Sequence, residues 1–252
     1  MTTTAIDRPA DTGGRVIAVT RLHFANAVNT FVVPWAILGA IFLMNLGIWA
    51  IIIGVAATES DRADARAGLS WSGSTGFIFI WMMVLAIQAV TLTFPFALGY
   101  SVTRRHFALG TGLALGILAL LYGAGLTLLS YIEDWTGGWG LGGRMFTAVY
   151  FDDGGLGSRL LSFTGIILFF MATGAAFSAI YMRWRAWGLG AAFVLLTLAT
   201  GLMITGFTVT SSWPAVGEWL VDAGQTGVVA WSLIPTALCA VLGYLVLSRA
   251  TP

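Results

Sequence analysis

Long apolar runs alternate with short polar or glycine-rich breaks along this chain, and six of the runs have about the length a bilayer demands. A hydrocarbon core about 30 Å thick takes roughly 20 helical residues at 1.5 Å each. The runs lie at 31–57, 75–100, 107–132, 160–182, 187–209 and 227–247. Glycine and serine recur inside them, which weakens a helix in water but suits helices that pack closely in lipid. No run alternates apolar and polar with period two, so a β-barrel is not expected. The first run follows about thirty residues and precedes five more, so it is read as a retained span rather than a cleaved signal peptide.

Residues 15–30 follow a different rule. On a 3.6-residue wheel Val16, Ile17, Phe24, Ala27 and Val28 gather on one side, with Arg15, His23, Asn26, Asn29 and Thr30 opposite. That pattern predicts an amphipathic helix lying in the membrane interface. The fold class expected is therefore an all-α integral membrane protein with about six transmembrane helices and an N-terminal interfacial helix. Residues 1–14 form a cytoplasmic tail and 15–252 a single transmembrane domain.

Composition sharpens this picture. The chain is 58% hydrophobic and only 9% charged, where a soluble domain carries about 25% charged residues. Its net charge of +1 gives no bulk attraction to nucleic acid. The distribution of charge is more informative. With the N-terminus inside, the cytoplasmic loops hold Arg8, Arg15, Arg21, Arg104, Arg105, Arg183, Arg185 and Arg249, against Asp7 and Asp11. The opposite loops hold nine of the eleven carboxylates and only Arg62, Arg66, Arg144 and Arg159. The positive-inside rule then places both termini in the cytoplasm of a bacterial inner-membrane protein.

Chemistry is sparse. The only histidines, His23 and His106, have no metal-ligand spacing, Cys239 is the only cysteine, and no Ser-His-Asp set or GxSxG elbow can be assembled. The acidic pairs Glu133-Asp134 and Asp152-Asp153 fall in outer loops and are read as solvated charge. No carboxylate or base falls in the predicted bilayer core, which disfavours a self-powered ion-coupled carrier. All twelve basic residues are arginines, so a Walker A lysine is excluded and any ATP-driven work needs a second chain. Neither a catalytic residue nor a metal or cofactor site is expected in this chain.

Two stretches point to a partner. GYSVTRRHFALGTGLALG, residues 99–116, makes a very short basic turn between the second and third spans, and SSWPAVGEWLVDAG, residues 211–224, precedes the last. In the latter, Pro214 suits a first helical turn, with Val216, Trp219 and Leu220 on the apolar side. With the interfacial helix and six spans, this order resembles the permease subunit of ABC-2-type ATP-binding-cassette transporters. The resemblance implies an exporter subunit that moves a hydrophobic or amphipathic drug, peptide or lipid. ATP and Mg would sit on a separate cytoplasmic ATPase, and a second permease, identical or different, would complete the complex within the membrane lipid.

The resemblance also implies roles. Val102, Thr103, Arg104, Arg105, His106 and Phe107 would contact the ATPase, with Arg183 and Arg185 as a secondary contact. Trp81, Gln88, Thr91, Phe94, Met203 and Thr205 would line a pathway between two permeases. Gly112 and Gly116, with Gly123 and Gly125, are expected to let helices approach closely. The glycine-rich loop 133–158 either caps a pathway or simply connects. The competing classes are a non-transporting sensor, assembly or immunity protein, and an ATP-independent channel or scramblase.

Overall fold

The computed structural model describes residues 12–149, 151 and 154–249, and among them every regular element is helical. Asp7, Arg8, Asp11, Asp152 and Asp153 lie outside the described residues. The elements are α1 (Thr12–His23), α2 (Val33–Val55), α3 (Glu59–Leu69), α4 (Gly76–Thr91), α5 (Thr93–Gly99), α6 (Arg104–Trp135), α7 (Leu156–Val209) and α8 (Trp213–Ser248). Five helical stretches are long and apolar enough to cross a membrane: Val28–Val55, Gly76–Gly99, Arg104–Trp135, Leu156–Val209 and Trp213–Ser248.

The first stretch opens with one wide turn, Val28–Val32, that runs straight into α2. α1 therefore ends at His23, where the apolar wheel predicts an interfacial helix that runs on to residue 30. Its docked face differs too: Val19 and Thr20 are buried against α6 while Ile17 is half exposed. The Thr20 hydroxyl donates to the Gly110 carbonyl at 3.1 Å. Gly110 is required there, because a Cβ would come within 2.8 Å of both Val19 and the Val16 carbonyl.

α4 and α5 form one rod jointed at Leu92. The joint lies three residues before Pro95, whose ring displaces the preceding turn and which offers no N–H to it.

At 54 residues, α7 would reach about 80 Å if straight. Instead it reverses at Arg185, where φ is 56° and ψ is −149°. The rings of Phe177 and Phe193 stack at 5.3 Å across that reversal, so α7 is two antiparallel arms, 156–184 and 186–209. α8 breaks at Gly224, φ 59°, into a short helix and a long rod. Trp219 and Trp231 meet at 6.1 Å across this break, where a straight helix would separate them by about 18 Å. Pro214 sits in the first turn of the short helix, as expected.

The main core joins α2, α4, α6, the first arm of α7 and the loop after α6. A smaller cluster binds Val19, Phe94, Phe107, Ala179 and Leu247 at the arginine-rich end. By contrast, no residue of the second α7 arm is buried, and in α8 only Val229 and Leu247 are. Close helix approach occurs at Gly123, beside Thr164, and at Gly125, beside Trp35. It does not occur at Gly112 or Gly116, where an added Cβ meets nothing within 4 Å.

The closest approach of a span glycine to the backbone of another span is at Gly174, where a Cβ would lie 2.6 Å from the Met83 carbonyl oxygen. Gly174→Val is expected to destabilise the protein by about 2 kcal/mol, since backbone cannot yield as a side chain can. Thermal unfolding in mild detergent measures this, with Gly116→Val as the silent control. Equal melting temperatures for both variants would refute the contact.

Candidate functional site

Seven arginines, Arg15, Arg21, Arg104, Arg105, Arg183, Arg185 and Arg249, share one end of the helices, and no carboxylate accompanies them among the described residues. Glu59, Asp61, Asp64, Glu133, Asp134, Glu218 and Asp222 occupy the other end. Both ion pairs found among the described residues, Arg62–Glu59 and Arg159–Asp134, are at that second end.

The basic turn is built rigidly. α5 closes with Ser101 at φ 60°, and the amides of Ser101 and Val102 donate back to the carbonyls of Leu98 at 3.0 Å and Ala97 at 3.2 Å. This is a Schellman closure, with serine where glycine is usual. Two residues later Thr103 caps α6, its hydroxyl accepting from the His106 amide at 3.3 Å. Arg104 donates from Nη1 to the Ser248 carbonyl at 3.2 Å, tying the start of α6 to the end of α8. Arg105 is exposed.

Phe107 corrects an expectation. It is fully buried, edge-on to Phe94 at 5.1 Å, so it anchors the turn from within and presents no surface to a partner. Val102 is half buried against the same cluster. Arg183 stacks over Trp184 at 4.5 Å, and Arg185 forms the reversal of α7.

Beside the turn, a cavity of about 240 Å³ opens between α1, the start of the first span, α4 and α6. Its polar lining is His23, Asn26, Asn29, Thr30, Gln88 and Thr93, set among Trp81, Leu85 and Leu118. Neutral amides and hydroxyls dominate, a lining suited to hydrogen-bonding an uncharged polar group beside an apolar body. Two expected pathway residues, Trp81 and Gln88, thus come together here. The others do not join them. Phe94 is fully buried, Thr91 spends its hydroxyl on the Ile87 carbonyl at 2.8 Å, and Met203 and Thr205 lie exposed on the distant second arm of α7.

His23 was assigned to the polar face, yet it points inward: its Nε2 lies 2.9 Å from the Thr111 hydroxyl and its ring meets Phe107 edge-on. Desolvation by burial lowers its pKa to about 4. The small-residue patch Gly110-Thr111 is the sequence signal that a polar helix face could dock there.

At the carboxylate end, Glu133 is fully buried, which overturns its reading as solvated charge. Its carboxylate accepts from five donors: the Trp139 indole at 2.8 Å, the amides of Met145 at 2.9 Å, Phe146 at 3.0 Å and Thr147 at 2.7 Å, and the Thr147 hydroxyl at 2.6 Å. These donors span the glycine-rich loop, whose residues Gly137, Gly138, Trp139, Gly140 and Gly142 all have positive φ. Trp139 alone there has a side chain to strain, and its indole bond to Glu133 helps hold it. The loop also pairs with the end of α3, Arg144 and Val149 donating to the carbonyls of Leu69 and Ser70. The Thr75 hydroxyl donates to the Met145 carbonyl at 2.7 Å. The described part of the loop, 137–149, is therefore held in place by hydrogen bonds and does not hang free.

Next to it, Arg159 is buried, bridging Asp134 at 2.6 Å and the Ser130 hydroxyl at 3.2 Å. α3 itself carries a capping box in which Thr58 and Asp61 exchange hydrogen bonds, and the Thr58 hydroxyl holds the Asp61 carboxyl below its usual range.

Comparison with known proteins brings no match: no family model fits the chain, and neither a curated protein nor a solved structure resembles it significantly.

Proposed function

We propose that this chain is the membrane-spanning permease subunit of an ABC exporter, carrying a hydrophobic or amphipathic drug, peptide or lipid with ATP and Mg bound on a separate ATPase chain. The observation that carries this reading is the anchored basic turn. Arg105 is free at its tip. Phe107, Thr103 and Arg104 meanwhile fasten the turn to the core, to α6 and to the last residue of α8. A push on such a turn moves several spans together, which is what a chain with no nucleotide site of its own requires.

In this reading the two arms of α7 are separate crossings, giving six, and the arginine-rich end faces the cytoplasm of the inner membrane. The Trp81–Gln88 cavity is where cargo first meets polar groups. The uncovered second arm of α7 faces lipid and a second permease. Binding of ATP would bias the paired subunits between two arrangements by differential binding energy.

Arg105→Glu, at the exposed tip of the turn, is expected to abolish co-purification of an ATPase from native membranes, while the variant keeps its wild-type melting temperature to within a few degrees. Wild-type protein that purifies from mild detergent with no nucleotide-hydrolysing chain sinks the proposal. Transport by the chain alone in liposomes would favour a channel or scramblase instead.

A further inference from the structure

A cavity of about 650 Å³ lies between α6, the first arm of α7 and α8. Its walls are almost entirely apolar, and it runs along residues 108–115, 168–179 and 236–247. Each wall is therefore about eight to twelve residues long, or roughly 11 to 17 Å at 1.5 Å per residue. That is about half of a 30 Å hydrocarbon layer, the depth of one leaflet. A crossing helix would need a groove twice as long. An acyl chain needs no more than this one.

The arginine-rich end of the cavity has a second property. Each of its three walls carries an arginine just past that end. Arg105 stands one helical turn before the lining residue Leu109, Arg183 one turn beyond Ala179, and Arg249 two residues beyond Leu247. Arg104 closes the same end through its bond to the Ser248 carbonyl. No carboxylate among the described residues neutralises them.

We propose that this groove is a binding site for an anionic glycerophospholipid of the leaflet at the arginine-rich end, with its acyl chain between α6, α7 and α8 and its phosphate between Arg105, Arg183 and Arg249. Basic clusters at the mouths of interhelical grooves select such headgroups, each arginine adding to the attraction. The bound lipid fills space the three helices leave empty and joins them near Arg104. The site shares Arg105 and Arg183 with the expected ATPase contacts, but it is tested on the chain alone with no ATPase present, so its failure is distinguishable from failure of the permease reading.

The test uses the full purified chain in mild detergent and native mass spectrometry with phosphatidylglycerol or phosphatidylcholine of identical acyl chains. Phosphatidylglycerol is expected to be retained at least ten-fold more strongly. Arg105→Gln, Arg183→Gln and Arg249→Gln together should erase that preference without changing the melting temperature of lipid-free protein. Gly112→Trp fills the groove from a position with free space around it, and it should lower retention of both lipids. Phosphatidylglycerol should also slow maleimide labelling of Cys239, a lining residue, in the wild type but not in the triple variant. Equal retention of the two lipids overturns the proposal. So does a preference that survives the triple variant, retention untouched by Gly112→Trp, or displacement of the lipid by free glycerol phosphate at equal concentration.

Discussion

Glu133→Gln is expected to free the glycine-rich loop at the carboxylate end of the protein. The native carboxylate satisfies five donors, three of them backbone amides within Met145–Thr147. A carboxamide keeps one acceptor oxygen and turns an NH₂ group toward the remaining N–H donors. Hydrogen bonds to a charged group are worth about 1.5–3 kcal/mol each, and losing two buried ones costs about 3–6 kcal/mol in total. For a chain of this size that lowers the melting temperature by roughly 10 °C. Limited proteolysis gives a local reading, because trypsin should begin to cut at Arg144 once the loop leaves Leu69 and Ser70. Glu218→Gln, an exposed carboxylate at the same end, is the control. A variant that melts with the wild type and stays uncut at Arg144 would show that the clasp contributes nothing.

The second large effect is a pH dependence in the docking of α1. His23 has its pKa lowered from 6.5 to about 4 by burial, so the packed helix excludes a proton that the undocked helix accepts. Stability falls wherever the open state binds more protons. Docking is therefore at full strength above about pH 6.5 and weakens as pH drops toward 4, the reverse of a histidine that gains a carboxylate partner. At pH 5 the loss amounts to roughly 2 kcal/mol. Hydrogen exchange of the α1 amides, corrected for intrinsic rates, should speed up about thirty-fold between pH 8 and pH 5. His23→Gln should flatten that response. Exchange in the wild type that does not change with pH after correction would contradict the buried neutral imidazole.

The crossing helices were legible because lipid imposes a blunt requirement of length and apolarity, and residues such as Phe31, Thr75 and Phe107 fall at or near the observed helix ends. Even the reversal at Arg185 was marked, since Arg183 and Arg185 interrupt an otherwise apolar stretch. What the pattern could not convey was where polar groups find partners. His23 is expected on the polar side of the wheel but turns inward, because the Thr111 hydroxyl is there to receive it.

Glu133 was harder still. Three of its donors are main-chain amides 12 to 14 residues away, which no side-chain pattern advertises. α3, on the other hand, had a usable signal in Thr58-x-x-Asp61, a capping box read too easily as loop. The expected site residues divided the same way. Trp81 and Gln88 share a helix face and meet in one cavity, whereas Phe94 and Phe107 are aromatic because the core needs them.

The one-residue reversal at Arg185 has a consequence for how the protein moves. With no linker between the arms, a tilt of one is handed to the other through a single residue and the Phe177–Phe193 stack, so the two arms are expected to swing as a hinged pair and not to slide independently.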